Sequence, residues 1–258
     1  MAVIKLVLAY DGSGFHGFAR QPGRRTVEGT LLEGLERILQ DRPSLSVAGR
    51  TDAGVHAEGQ VVSLRADADP LVIQRALNGM LGPEVVVRRA GRAPDGFDAR
   101  FSATAREYRY RIRTADVPDP FTDRFEWHRP GRLGLAPMRA AARALRGEHD
   151  FASFCRPPEE GGSTVRRLHR LSLRPVEDRL EIRAGADGFL HQMVRSLVGT
   201  LVAVGEGRLD AGAIPAVLAA RDRSAAGPVA PPDGLTLVSV TYGPHRRARE
   251  RSRVSGAP

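Results

Sequence analysis

The clearest run of residues spaced for chemistry is Gly49-Arg50-Thr51-Asp52-Ala53-Gly54-Val55-His56-Ala57. Glycines on either side of Asp52 let the backbone turn sharply and approach a ligand closely. Two uses of the aspartate fit that setting. In an Asx turn, its side chain would cap its own loop. As a nucleophile, it would have to stay ionised, and Arg50 favours this second use. In extended backbone, residues i and i+2 point the same way, so Arg50 and Asp52 can share a face. A guanidinium beside a partly buried carboxylate keeps it charged.

Two further groups could belong to the same site. Tyr108 and Tyr110 alternate with Arg109 on one strand, so a tyrosine ring could face a cleft and stack on a nucleobase. Cross-strand packing is the other use of such a pair, and it is the reading for Tyr110. After Phe189, the residues Met193, Val194, Leu197, Val198, Leu201 and Val202 form an apolar arc at helical spacing, with Arg195 at its edge. From there an arginine buries its stem, and its head can meet either a carboxylate or water.

These groups need a frame, and the hydrophobic pattern supplies one. Val3 to Tyr10 is a strand closed by Asp11-Gly12, and Thr26 caps a helix whose apolar residues run to Leu39. Leu45 to Ala48 and Gln60 to Leu64 read as strands on either side of the Asp52 loop. Asp69-Pro70 opens a helix through Met80, and Glu84 to Arg89 is a strand. The order β-α-β-β-α-β is that of a ferredoxin-like unit. A similar inventory follows: a strand over Arg106–Arg113, an Ala-rich helix over Leu135–Leu145, and a hairpin of Val165–Arg174 with Arg179–Ala184. Helices over Phe189–Val204 and Asp210–Ala220 and a strand over Leu235–Tyr242 complete it. The fold class expected is α+β, with a unit over 1–104, a second over 105–245 and the boundary within Gly91–Ala105. A basic, disordered tail is expected over 246–258, and residues 156–164 read as a flexible surface loop.

The net charge of +9 favours a polyanionic partner. Lys5 is the only lysine, so every other cation is arginine, a bias that also looks genomic. A P-loop is excluded because no lysine follows a glycine-rich run. Gly12-Ser13-Gly14-Phe15-His16-Gly17 spells a dinucleotide fingerprint, but Pro22-Gly23 follows where the phosphate-binding helix should begin. The seven histidines and single cysteine show no zinc-site spacing, so no metal or cofactor is expected. Cys155 beside Phe154 reads as a packed, inert thiol. No apolar run reaches the length of a membrane span, and the N-terminus has neither a basic n-region nor a cleavage site. A cytoplasmic protein without a membrane partner is expected.

The Gly49–Ala57 loop, continued by Gly59-Gln60-Val61-Val62, resembles the signature loop of the bacterial tRNA pseudouridine synthase A (TruA) family. Four more segments resemble that family in the same order: Tyr10–Phe15, Phe97–Tyr110, Phe189–Arg195 and Ala226–Leu235. There are departures. Gly17-Phe18-Ala19 stands where the family usually has Gly-Trp-Gln, and Ser63-Leu64 where it commonly has His-Phe. The resemblance implies the pseudouridine synthase fold: two ferredoxin-like halves whose antiparallel sheets meet at a central RNA-binding cleft. It implies Asp52 as nucleophile, Tyr108 stacked on the target uracil and Arg195 paired with Asp52 across the cleft. It further implies uridines 38–40 of the tRNA anticodon stem-loop as substrate, and a homodimer binding tRNA across both subunits. Arg20, Arg24 and Arg25 in the first loop, with Arg166, Arg167 and Arg170, are the expected contacts to the RNA backbone. The competing readings are a noncatalytic RNA-binding module with Asp52 as a loop cap, and a relative acting on other RNA sites.

Overall fold

The computed structural model describes residues 1–156 and 162–243. The basic tail and residues 157–161 of the expected surface loop therefore lie outside the described residues. The first half runs β1 (Ala2–Tyr10), α1 (Val27–Leu39), β2 (Ser46–Val47), β3 (His56–Ala66), α2 (Pro70–Leu81) and β4 (Val85–Ala93). The second runs β5 (Ala103–Arg113), β6 (Trp127–His128), α3 (Leu135–Ala144), β7 (Gly147–Asp150), β8 (Val165–Val176) and β9 (Arg179–Ala186). It continues with α4 (Met193–Gly205), α5 (Ile214–Ala220) and β10 (Leu235–Tyr242).

Local chemistry sets the helix starts. The Thr26 hydroxyl accepts the Gly29 N–H at the head of α1, and the Asp69 carboxylate accepts the Leu71 N–H at the head of α2, where Pro70 has no N–H that needs an acceptor. Two helices begin later than their spacing predicts: α5 starts at Ile214 behind a 3-10 turn over Ala211–Ala213, and α4 is the other. Phe189 continues the apolar period of α4, yet Gln192 adopts a left-handed φ of 62° and α4 starts at Met193. Phe189 instead packs its ring edge-on to Tyr108 at 5.1 Å. Packing of a half-buried ring against the core, not helix formation, accounts for its apolar character.

The strand order repeats. In the first half the sequence β4-β1-β3-β2 places the fourth strand beside the first and the third beside the second. The second half gives β10-β5-β9-β8, the same arrangement without a visible sequence repeat. The two expected sheets are joined edge to edge as one ten-stranded sheet. β10 makes the join, antiparallel to β5 and parallel to β3 through Thr236–His56 and Leu237–Ala57. Tyr10, Ala57, Leu237, Tyr108, Ala184 and Leu171 are successive cross-strand partners along one buried row spanning both halves. The helices pack on this side of the sheet, α1 on α2 and α3 on α4. The opposite side carries charged residues such as Arg109, which pairs with Glu58 at 2.5 Å. Among the described residues no helix is long and apolar enough to cross a membrane.

Candidate active site

Because β2 is only two residues long, the chain leaves the sheet at Ala48 and re-enters at His56. The loop between stands over the seam where the two halves join. It is held from every side. Tyr10 and Thr51 share a hydroxyl hydrogen bond of 2.8 Å, the Gln60 amide donates to the Gly49 carbonyl at 2.6 Å, and the Phe18 N–H donates to the Thr51 carbonyl at 3.0 Å. Burial pushes the Tyr10 phenol up to about 12, so it remains a neutral hydrogen-bonding group.

The glycine-rich run at 12–17 serves this loop. A side-chain carbon at Gly12 would fall 2.1 Å from the Val55 carbonyl oxygen, and Gly17 has a φ of +89° beneath Thr51. The Gly12 N–H donates to His56 Nδ1 at 3.0 Å, and Nε2 lies 3.1 Å from the Asp233 carbonyl. That pattern fits a neutral imidazole with its proton on Nε2. Burial holds its pKa below the usual histidine value, although Asp11 and the backbone carbonyls pull the other way.

Asp52 itself does not cap its loop. The Val55 N–H bonds to the Asp52 backbone carbonyl at 3.2 Å, while the carboxylate looks across the cleft. Arg195 Nη1 donates to Asp52 Oδ2 at 3.0 Å, and His191 Nε2 stands 3.4 Å from Oδ1. Arg195 is aimed by a second bond from its Nε to the Ala230 carbonyl at 2.7 Å. The Asp52 side chain is 21% exposed, so it is partly desolvated yet open to the cleft.

Tyr108 is only 8% exposed, with its ring against Phe189. Burial, reinforced by Tyr10 and Asp52, raises its pKa far above that of an ordinary phenol. It therefore offers a ring and a neutral O–H rather than a phenolate. Arg106, two residues earlier on the same face of β5, donates to four backbone carbonyls: Ala48, Arg100, Ala103 and Asp187. It thereby ties the base of the Asp52 loop to the segment leading to Phe189 and His191. Asp52, Arg195, His191, Tyr108, Phe189 and Arg106 line one open cavity of about 1140 Å³, above the ~300–1,000 Å³ usual for small-molecule sites.

A family model described as tRNA pseudouridine synthase matches residues 141–243. A protein of Frankia casuarinae named tRNA pseudouridine synthase A is 48% identical over 261 residues, covering 98% of this chain and 94% of its own. One of Methylobacterium sp. (strain 4-46), with the same name, is 45% identical over 241 residues, covering 92% and 96%. The chain belongs to the tRNA pseudouridine synthase A family. That is a family of isomerases whose reaction converts uridine to pseudouridine, and this member is such an enzyme. A far more distant likeness is the solved archaeal box H/ACA sRNP Nop10-Cbf5 complex, at 13% identity and a TM-score of 0.35, covering 77% of this chain and 43% of that one.

In this family member the structure brings Asp52, Arg195 and Tyr108 into one cleft. Arg50 lines the same cavity but is exposed, and among the described residues no ion pair joins it to Asp52. Residues i and i+2 share a face only in extended strand, and residues 50–52 are loop. Of the six arginines expected at RNA, Arg24 and Arg166 line the cavity. Arg20 and Arg167 are exposed outside its lining. Arg25 is bound by the Glu84 carboxylate at 2.6 and 3.0 Å and lies over Phe15, and Arg170 pairs with Glu107 at 3.4 Å. Sequence reasoning missed His191, Phe189 and Arg106. The period of two on β5 that picks out Tyr108 and Tyr110 also picks out Arg106; His191 lay hidden inside the predicted helix. Tyr110 packs as expected, its ring edge-on to Trp127 and its hydroxyl donating to the Pro231 carbonyl at 2.8 Å. Cys155 is buried, and burial pushes its thiol pKa up. Among the described residues no group of three or more His, Cys, Asp or Glu is spaced to hold a metal ion.

Proposed function

We propose that this enzyme isomerises uridines 38–40 in the anticodon stem-loop of tRNA, with Asp52 as its nucleophile. One observation carries the assignment of Asp52. Its carboxylate makes no bond to its own loop and meets Arg195 from the other half at 3.0 Å, inside the cavity that Tyr108 also lines.

The reaction breaks the N1–C1′ glycosidic bond, turns the uracil over and forms a C5–C1′ bond. A proton leaves C5 and one is gained at N1, so the change is redox-neutral. A carboxylate can serve by attacking the ribose, by attacking the base or by taking a ribose proton. In each case Asp52 loses its charge, so the Arg195 contact is strong before the step and weak after it. Tyr108 stacks on the extruded uracil, which offsets an unstacking cost of about a few kcal/mol. Arg50, Arg24 and Arg166 contact phosphates at the mouth of the cleft, and Arg20, Arg25, Arg167 and Arg170 belong to the wider basic surface. Activity accordingly falls steeply with salt. Residues 1–104 and 105–245 act as the two walls of the cleft. The working form is a cytoplasmic homodimer with tRNA lying across both subunits. The names borne by the relatives support tRNA as substrate.

Asp52→Asn keeps the shape of the side chain and removes its charge. Its turnover on tRNA should fall by at least about 10⁴-fold, as for other nucleophiles that act as part of a unit. A variant that still formed pseudouridine at the parent rate would end the assignment. Nucleoside mapping of tRNA from cells lacking the protein should show loss of pseudouridine at positions 38–40. Persistence there would overturn the choice of site.

A further inference from the structure

Phe101 is 81% exposed, yet the loop that carries it is held by a dense set of hydrogen bonds. Asp98 Oδ1 accepts the N–H groups of Arg100 and Phe101 at 2.7 and 2.8 Å and the Ser46 hydroxyl at 2.9 Å. The fully buried Ala99 donates its N–H to Ser63 at 3.0 Å and accepts the Tyr242 hydroxyl at 2.8 Å. The Arg100 carbonyl accepts from Arg106 Nη2 at 3.1 Å, the same guanidinium that fixes the base of the Asp52 loop. Phe101 is thus presented to solvent by a rigid frame and registered to the catalytic loop.

A lone exposed phenylalanine needs no explanation in itself, and Phe121, at 90% exposed, is one. What separates the two is position. Phe101 lines the mouth of the cavity that holds Asp52, together with Arg50, Arg100, Arg156 and Arg166, whereas Phe121 does not. The Arg100 guanidinium lies 5.4 Å from the Phe101 ring centroid. An aromatic ring interleaved with arginines is the surface on which an unpaired base stacks while its phosphates are neutralised. Because the loop is already fixed, little further ordering opposes binding.

We infer that Phe101 is a stacking platform for a nucleobase beside the target uridine, holding the neighbouring nucleotide at the cleft mouth. The inference rests on the proposed RNA substrate. It assigns Phe101 to binding, not to the reacting atoms.

The test measures tRNA affinity of the full chain for the parent, Phe101→Ala, Phe101→Leu, Phe101→Trp and Phe121→Ala, with melting temperatures alongside. Phe101→Ala and Phe101→Leu should each weaken binding by about tenfold to a hundredfold. Phe101→Trp should stay within about threefold of the parent, since it keeps a π-face. Phe121→Ala should bind like the parent, and all melting temperatures should be unchanged because both side chains are exposed. Parent-like binding by Phe101→Ala overturns the inference. So does parent-like binding by Phe101→Leu, which would mean that apolar bulk and not stacking is used. A parent chain that does not bind tRNA overturns the substrate reading, and this one with it.

Discussion

Between β2 and β3 the chain forms the loop of residues 48–55, whereas between the equivalent strands of the second half, β8 and β9, it turns on Glu177 and Asp178 alone. The next connection reverses the pattern. Residues 67–69 suffice from β3 to α2, but residues 187–192 separate β9 from α4 and carry Phe189 and His191 to the cleft. Two halves with one strand order have each lengthened a different connection. The lengthened pieces meet over β10, so neither half holds a site alone. A repeated fold can thus acquire one asymmetric centre by placing complementary groups on non-equivalent loops. Asp52 lies on one such loop. Its partners His191 and Arg195 lie on and just past the other.

After Asp52 itself, the largest break in this complementarity is at Arg195. Arg195→Ala should lower kcat by about 10²–10³-fold, the usual cost of losing one preorganised donor at a reacting charge. Arg195→Lys should recover little of it, because an ammonium on a flexible stem cannot serve Ala230 and Asp52 together as the guanidinium fork does. Parent-like single-turnover rates in Arg195→Lys would show that charge alone suffices.

A smaller effect concerns the support of the Asp52 loop. His56 is buried neutral, with its folded pKa below the value of about 6.5 expected in the unfolded chain. The unfolded state therefore takes up the proton first. The stability contributed by His56 is fully present above about pH 6.5 and is lost as pH falls towards the folded pKa. Urea unfolding between pH 5 and 7.5 should show the parent losing stability on the acid side, and His56→Gln losing less over the same interval. Identical slopes would remove His56 from the account.

The smallest effect sharpens the contrast from the other side. Glu177 holds a φ of +54° in the tight hairpin, a conformation that L residues adopt at a cost. Glu177→Gly should raise stability by up to about 1 kcal/mol in chemical denaturation and leave tRNA turnover unchanged. A loss of turnover would mean that this turn also takes part in function.

Much of this frame was legible from periodicity. Thr26, Asp69 and the alternation along Leu235–Tyr242 locate their elements because caps and strand faces are local properties. The repeat of strand order was not legible from periodicity, since many alternating apolar sequences satisfy the same hydrogen-bond pattern; it came through the resemblance, which implied two ferredoxin-like halves. At the site, the resemblance brought Asp52, Tyr108 and Arg195 forward, while nearness along the chain misdirected the partner of Asp52 to Arg50. Ion pairing in a loop is set by tertiary approach, here over 143 residues. For the same reason Arg25 and Arg170, basic in sequence, turn out to have carboxylate partners.

The seam strand also fixes when the enzyme can exist. Among the described residues β10 is the last element, and it alone bonds the first half to the second within the sheet. The residues just before it supply the carbonyls that orient Arg195, Tyr110 and His56. A nascent chain that has not reached residue 242 lacks the strand that joins β3 to β5 beneath the cleft. Vectorial synthesis thereby delivers the seam strand only after the groups on both sides of the cleft that it brings together.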